Sequence, residues 1–317
     1  MAKGNQRLSQ PRRGRSFMMD SPWSRVSDEI RQGWGLRKSL IKKLQDHLQG
    51  LVILYFTAFS DEDIIISDQD AEMIENMLSV EHEKGSKIFL IINSAGGFPL
   101  AAERIVNICR AYSGGKFEVV VPHMAKSAAT LICFGANCIH MSPTAELGPV
   151  DPQVQYIDDL DVKQWISAEE YIKSYEQLMN RAVSSKTGRV EALVQQLLRY
   201  DARYIERLRS AQALSVKISL RLLKTVMLSK FTESTIKKKI SDFLVHRRTA
   251  AHGRMITIEE AKKCGLNIKE IELRSDLWNL LWELFIRADC AVSMPQPRKI
   301  IESANSSLSA GGKRRTP

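Results

Sequence analysis

Three short, largely apolar runs constrain the fold most: LVILYFTAF (Leu51 to Phe59), IFLII (Ile88 to Ile92) and VVV (Val119 to Val121). Each has the length of a strand and is too short for a helix. None shows the apolar–polar alternation of a half-exposed strand, so each reads as a strand covered on both faces. Helical stretches separate them. DQDAEMIENMLSVEHEKG is amphipathic and ends at Gly85, and PLAAERIVNICRAY carries Ala101, Ile105, Ile108 and Cys109 on one face before Ser113-Gly114-Gly115. Strand, helix, strand, helix in this order predicts an α/β chain with a parallel sheet.

The totals narrow the class. At 317 residues the chain holds about two domains, or one large domain with an appendage. No apolar run approaches the ~20 residues that span a bilayer. The basic start, MAKGNQRLSQPRRGRS, has no apolar segment behind it, so no secretory signal is read. The five cysteines are scattered and form no CxxC pair, which argues against a zinc site or a disulfide frame and for reduced thiols in the cytoplasm. The net charge of +10 comes from one region: Arg181 to Arg248 holds 16 lysines and arginines against 5 acids. That excess could serve nucleic acid or acidic partners, but no nucleic-acid motif accompanies it, so the solvated faces of amphipathic helices are the preferred reading.

The rest of the chain reads as follows. Residues 1–20 form a disordered basic tail, and residues 291–317 a second disordered tail rich in Ser, Gly and Pro. Residues 21–290 form one domain with a helical insert at about 167–245. Leu36, Leu40, Leu44 and Leu48 share one side of an early helix. CIHM (Cys138 to Met141) is a short fourth strand, and RMITIEEAKKCGLNIKEIE predicts a cap at Thr257, a short helix and a last strand.

Two strand ends carry the chemistry. After IFLII comes Asn93-Ser94-Ala95-Gly96-Gly97, where a glycine pair lets backbone amides approach a ligand. After VVV the chain breaks at Pro122 and places Ser127 at the mouth of a helix that opens with Ala128 and Ala129. Either feature alone has an ordinary explanation, a turn in one case and a helix cap in the other. Together, at the C-terminal ends of successive strands, they put a hydroxyl between two possible oxyanion donors, the amides of Gly97 and Ala128. No G-x-S-x-G is present, which disfavours an α/β-hydrolase elbow.

INSAGG, AKSAAT with its upstream VVP, AELGPVDPQ and TIEEAKKCGL resemble the serine dehydrogenase proteinase family, which is similar to signal peptide peptidase A within the Clp-protease/crotonase fold. The resemblance runs from about Leu51 to Leu273. It implies a spiral of ββα units with an added helical segment, Ser127 as nucleophile, Gly97 and Ala128 as oxyanion donors, peptide or protein substrates, no metal or cofactor, and a homo-oligomer.

For the proton acceptor the same resemblance implies a histidine or a lysine. Where Clp proteases carry a histidine after the serine, this chain has Asp151. Relatives of signal peptide peptidase use a lysine further on, which selects Lys163, with Lys173 as the other candidate; burial would have to lower its pKa. Gly96, His123, Asp151 and Lys173 are the possible lining residues, His252 lies in the turn where Clp proteases hold an aspartate, and Lys126 is expected to face solvent. Two alternatives stay open: a crotonase-type acyl-CoA enzyme using the same pair of amides, and an inactive oligomeric scaffold.

Overall fold

The computed structural model describes residues 33–59, 64–83, 85–157, 163–185, 190–244, 255–294 and 297–310. The expected N-terminal tail (residues 1–20) and the turn holding His252 lie outside them.

Helix α1 (Gly35–Leu48) leads into β1 (Leu51–Thr57), and α2 (Asp68–Glu81) leads into β2 (Ile88–Asn93). Then come α3 (Pro99–Tyr112), β3 (Phe117–Val121), the two-residue β4 (Met124–Ala125), α4 (Ala128–Phe134), β5 (Ile139–Met141) and β6 (Glu146–Leu147). A hairpin of β7 (Gln153–Ile157) and β8 (Lys163–Ser167) precedes the helices α5 (Ala168–Ser184), α6 (Val190–Leu197), α7 (Ala202–Thr225), α8 (Glu233–Lys239) and α9 (Ser241–Leu244). The chain returns through α10 (Ile258–Lys263), β9 (Ile268–Glu270), α11 (Asp276–Ser293), β10 (Lys299–Glu302) and β11 (Ser307–Ala310).

The main sheet has the order β11-β10-β1-β2-β3-β5-β9. From β1 to β9 the strands are parallel, with Leu54 opposite Ile91 and Leu90 opposite Val119. Side chains alternate between the faces of a strand. Ile53, Tyr55, Leu90, Ile92, Val119 and Val121 therefore pack into one core with residues of α2, α3, α4 and α7. Val52, Leu54, Phe56, Phe89, Ile91 and Val120 pack into the other, against α1 and α11. Both faces are covered, which is why the runs are apolar throughout. β4 and β6 form a separate two-stranded ladder at the C-terminal ends of β2 and β3.

Two stretches depart from the sequence reading. The segment from 299 to 310, expected to be a disordered tail, adds two strands: β10 runs antiparallel to β1, and β11 forms the edge. Its polar composition hid this, because its charged residues are buried in pairs: the Lys299 ammonium lies 2.8 Å from Asp70, and the Arg37 guanidinium 2.6 Å from Glu302. Ahead of the expected helices, Gln153–Ile157 and Lys163–Ser167 pair as the antiparallel strands β7 and β8. Beyond the hairpin the helical insert is present as α5 to α9, and Ile172, Ile205 and Leu208 form a small core of their own beneath Tyr171, Tyr175, Tyr200 and Tyr204.

Candidate active site

Ser127 stands in the N-cap position of α4 but does not act as a cap. Its side chain makes no capping hydrogen bond, and its backbone adopts φ 50°, ψ −118°. A non-glycine residue held there costs about 1–3 kcal/mol, and such strain gathers at functional sites. The surroundings fix it: the Ser127 amide donates to the Pro149 carbonyl at 3.1 Å, and its carbonyl accepts from the Leu131 amide at 3.2 Å. The backbone is committed while the half-exposed hydroxyl is left for other work.

The end of β2 is tied to the chain just before the serine. The Ser94 amide donates to the Met124 carbonyl at 3.3 Å, and the Lys126 amide to the Ser94 carbonyl at 3.0 Å. The Asn93 side-chain oxygen accepts from the Met124 amide at 3.2 Å. This brings the glycine turn onto the serine: a Cβ built on Gly96 would fall 2.6 Å from the Ser127 Cβ. Gly96 has φ 116°, so glycine is required twice over. Gly97 is equally restricted, because a Cβ there would lie 2.3 Å from the Ile66 nitrogen. Ile66 clamps the turn from outside: its amide donates to the Gly96 carbonyl at 2.8 Å, and its carbonyl accepts from the Phe98 amide at 2.9 Å. Among the described residues, the amides of Gly97 and Ala128 donate to no acceptor. Acyl transfer needs a hydroxyl and free backbone donors near one another, and these two amides carry no other bond beside the turn that meets Ser127.

The third wall is the loop 148–151. The Gly148 amide donates to the Ala125 carbonyl at 2.9 Å, and the buried Thr130 hydroxyl lies 2.8 Å from that carbonyl and 2.9 Å from the Gly148 carbonyl. From behind, the Val150 amide donates to the Phe243 carbonyl at 2.9 Å, and the Ser215 hydroxyl donates to the Val150 carbonyl. The helical segment thus braces the loop that holds the serine's amide.

The sequence profile of the ClpP-like SDH-type serine proteinases matches residues 63–307, which takes in every wall of this site. The chain belongs to that family. An uncharacterised protein of Methanocaldococcus jannaschii is 29% identical over 204 residues, covering 64% of this chain and 60% of that protein. The chain thus spans less than two thirds of that relative's length. A second uncharacterised protein of the same organism is 37% identical over 89 residues, 28% of this chain and 30% of its own. Two solved ClpP1 structures of Listeria monocytogenes, one a point mutant, cover 74% and 76% of this chain and 98% and 99% of theirs, with 17% and 18% identity and TM-scores of 0.37 and 0.38.

The remaining residues singled out in the sequence fall in different places. Asp151 is buried at the end of the bracing loop. His123 turns away from the glycine turn: its ring lies 5.1 Å from that of Phe285 on α11, on the opposite side of the sheet from α4. Lys173, on α5, is half-exposed and pairs with Glu169 one turn earlier at 2.5 Å. Lys163 opens β8 opposite Ile157, whereas Gln153 pairs with Ser167 at the hairpin's other end. Four residue steps at ~3.3 Å put its backbone about 13 Å from that end; its side chain lies outside the described residues. Lys126, expected in solvent, is instead largely covered: its stem packs on Gly148 and its ammonium pairs with Glu146 across the β4–β6 ladder. Among the described residues no histidine makes a hydrogen bond or ring contact with Ser127.

Sequence reasoning missed the residues behind the glycine turn. The Lys299 ammonium donates to the Ile65 carbonyl and to both oxygens of Asp70, all at 2.8 Å. Asp70 also accepts from the Ser67 amide at 2.7 Å and from the Tyr55 hydroxyl at 3.0 Å. Burial, and then the Asp70 charge, push that phenol well above its ordinary pKa, so Tyr55 stays a donor. These bonds fix residues 65–67, and Ile66 fixes Gly96 and Gly97. The one available signal was Asp70 three residues after Ser67, a capping-box spacing.

Proposed function

We propose that this chain is a serine peptidase. Ser127 Oγ attacks the scissile carbonyl carbon, and the Gly97 and Ala128 amides hold the oxygen that becomes negative. The serine proton passes to the neutral amine of Lys163, which returns it to the departing amine of the substrate. Water then attacks the acyl carbon, giving its proton to the same lysine, which passes that proton to Ser127 Oγ as the acyl–oxygen bond breaks and the carboxylic acid leaves. Phe98 and Leu100, both exposed just after the glycine turn, offer an apolar wall to a substrate side chain. The protein works in the cytoplasm as a homo-oligomer. The observation that carries the reading is the strained Ser127, its hydroxyl free of capping duty and its backbone pressed against Gly96. Membership of a serine proteinase family supports the same chemistry.

The test is hydrolysis of denatured casein and of p-nitrophenyl acetate by the wild-type protein, Ser127→Ala and Lys163→Ala. Ser127→Ala is expected to abolish both activities. Activity unchanged in Ser127→Ala contradicts the nucleophile, and activity unchanged in Lys163→Ala moves the proton acceptor elsewhere. A folded wild-type protein inert in both assays favours the scaffold.

A further inference from the structure

A wide groove between α7 and the α8–α9 corner encloses about 1300 Å³. Small-molecule pockets usually hold about 300–1,000 Å³, so this groove suits a length of polypeptide better. Its walls carry Arg209, Lys217, Arg221, Lys224, Lys237 and Lys238, against one acid, Glu233. Three of these cations are committed: Arg209 to Glu176 and Glu206, Arg221 to Glu103, and Lys224 to the Ser229 and Phe231 carbonyls. Lys217, Lys237 and Lys238 are exposed and have no ion-pair partner among the described residues. Between the charges the lining mixes apolar Ala213, Val216, Leu220 and Leu244 with polar Gln212, Thr225, Ser234 and Ser241.

This chemistry selects the occupant. Cations facing one another across a groove favour an anionic chain through Coulomb attraction that salt screens. A single-stranded nucleic acid would also need aromatic faces for its bases, and the lining has none. Leu220, Val216 and Leu244 match instead the apolar side chains of an acidic protein segment. The position matters too. Ser215 of α7 and Phe243 of α9 hold Val150, next to the Pro149 carbonyl that receives the Ser127 amide.

We infer that this groove is a docking site for acidic segments of polypeptide substrates, a role that rests on the serine peptidase reading above. It sets a substrate class: chains with clustered Asp or Glu interleaved with aliphatic residues.

Binding is measured with the inactive Ser127→Ala protein, by fluorescence anisotropy of fluorescein-labelled (Glu-Glu-Leu)4, (Lys-Lys-Leu)4 and dT12. The acidic peptide is expected to bind best and to weaken as salt rises. The triple variant Lys217→Ala/Lys237→Ala/Lys238→Ala is expected to lose about tenfold in affinity for it. In the Ser127-containing protein this triple variant is expected to hydrolyse p-nitrophenyl acetate at the wild-type rate while its KM for casein rises. No preference for the acidic peptide, no effect of the triple variant, or tighter binding of dT12 overturns the inference. Acidic-peptide binding by a protein that hydrolyses no ester locates the failure at the serine and removes the substrate role.

Discussion

Gly96 touches Ser127 so closely that a methyl group on the glycine would stand 2.6 Å from the serine's own Cβ. The nucleophile's position is therefore set by the glycine turn as well as by its own helix. Gly96→Ala is expected to lower ester hydrolysis by about 10²–10³-fold, the size of losing one oxyanion donor, while circular dichroism reports a retained fold. Wild-type rates in a folded Gly96→Ala protein would show that the turn does not shape the site.

The strain at Ser127 can be weighed directly. Both Ser127→Ala and Ser127→Gly remove the hydroxyl, but only glycine adopts φ 50° without penalty. Ser127→Gly is expected to be about 1 kcal/mol more stable than Ser127→Ala in urea denaturation, with both inactive. Equal stabilities would mean the backbone is not held in that conformation.

The buried Lys299–Asp70 pair links the C-terminal strand to the glycine turn through Ile66. Lys299→Met leaves Asp70 charged and buried, which typically costs about 3–5 kcal/mol. Adding Asp70→Asn removes that charge and is expected to recover part of the loss. Urea midpoints of the two single variants and the double variant measure the coupling, and simple additivity would contradict the pairing.

One buried histidine makes stability depend on pH. Burial pushes the His140 imidazole below its ordinary pKa, although the Glu118 carboxylate 2.5 Å away pulls the other way. Its Nδ1 has no partner among the described residues. The unfolded chain therefore takes up this proton at a higher pH than the folded one. Stability from this group is complete above about pH 6.5 and is lost as pH falls toward the lowered value. Glu118 adds its own acid loss only at lower pH. Burial raises its pKa, but bonds from Lys87 and His140 outweigh burial and leave it below the usual carboxylate value. Urea unfolding at pH 7.5 and pH 5.5 is expected to show a drop in the wild-type protein and a smaller one in His140→Leu.

The apolar runs made the sheet legible, because a strand covered on both faces leaves a continuous signature in Val52 to Phe56 and Ile88 to Ile92. The pair of Ser127 and Gly96-Gly97 was legible for a related reason: each lies within a few residues of the end of such a strand. Lys299 and Glu302 were not legible. A charged residue buried against a distant partner looks, in sequence, like one in solvent. The same ambiguity hid Lys126, whose partner Glu146 is reached only through the β4–β6 ladder. For His123, closeness in sequence to Ser127 did not foretell that its ring would pack 5.1 Å from that of Phe285. The groove on α7 arises from two helices whose basic faces converge, which helical periodicity alone does not show.

The most direct measurement of the central claim is covalent capture of the nucleophile. The native protein is treated with a fluorophosphonate, digested, and the modified peptide sequenced by mass spectrometry. The account predicts one adduct per chain, on Ser127, absent from Ser127→Ala and from protein unfolded in urea before treatment. An adduct on another residue, or labelling that persists in Ser127→Ala, would contradict it.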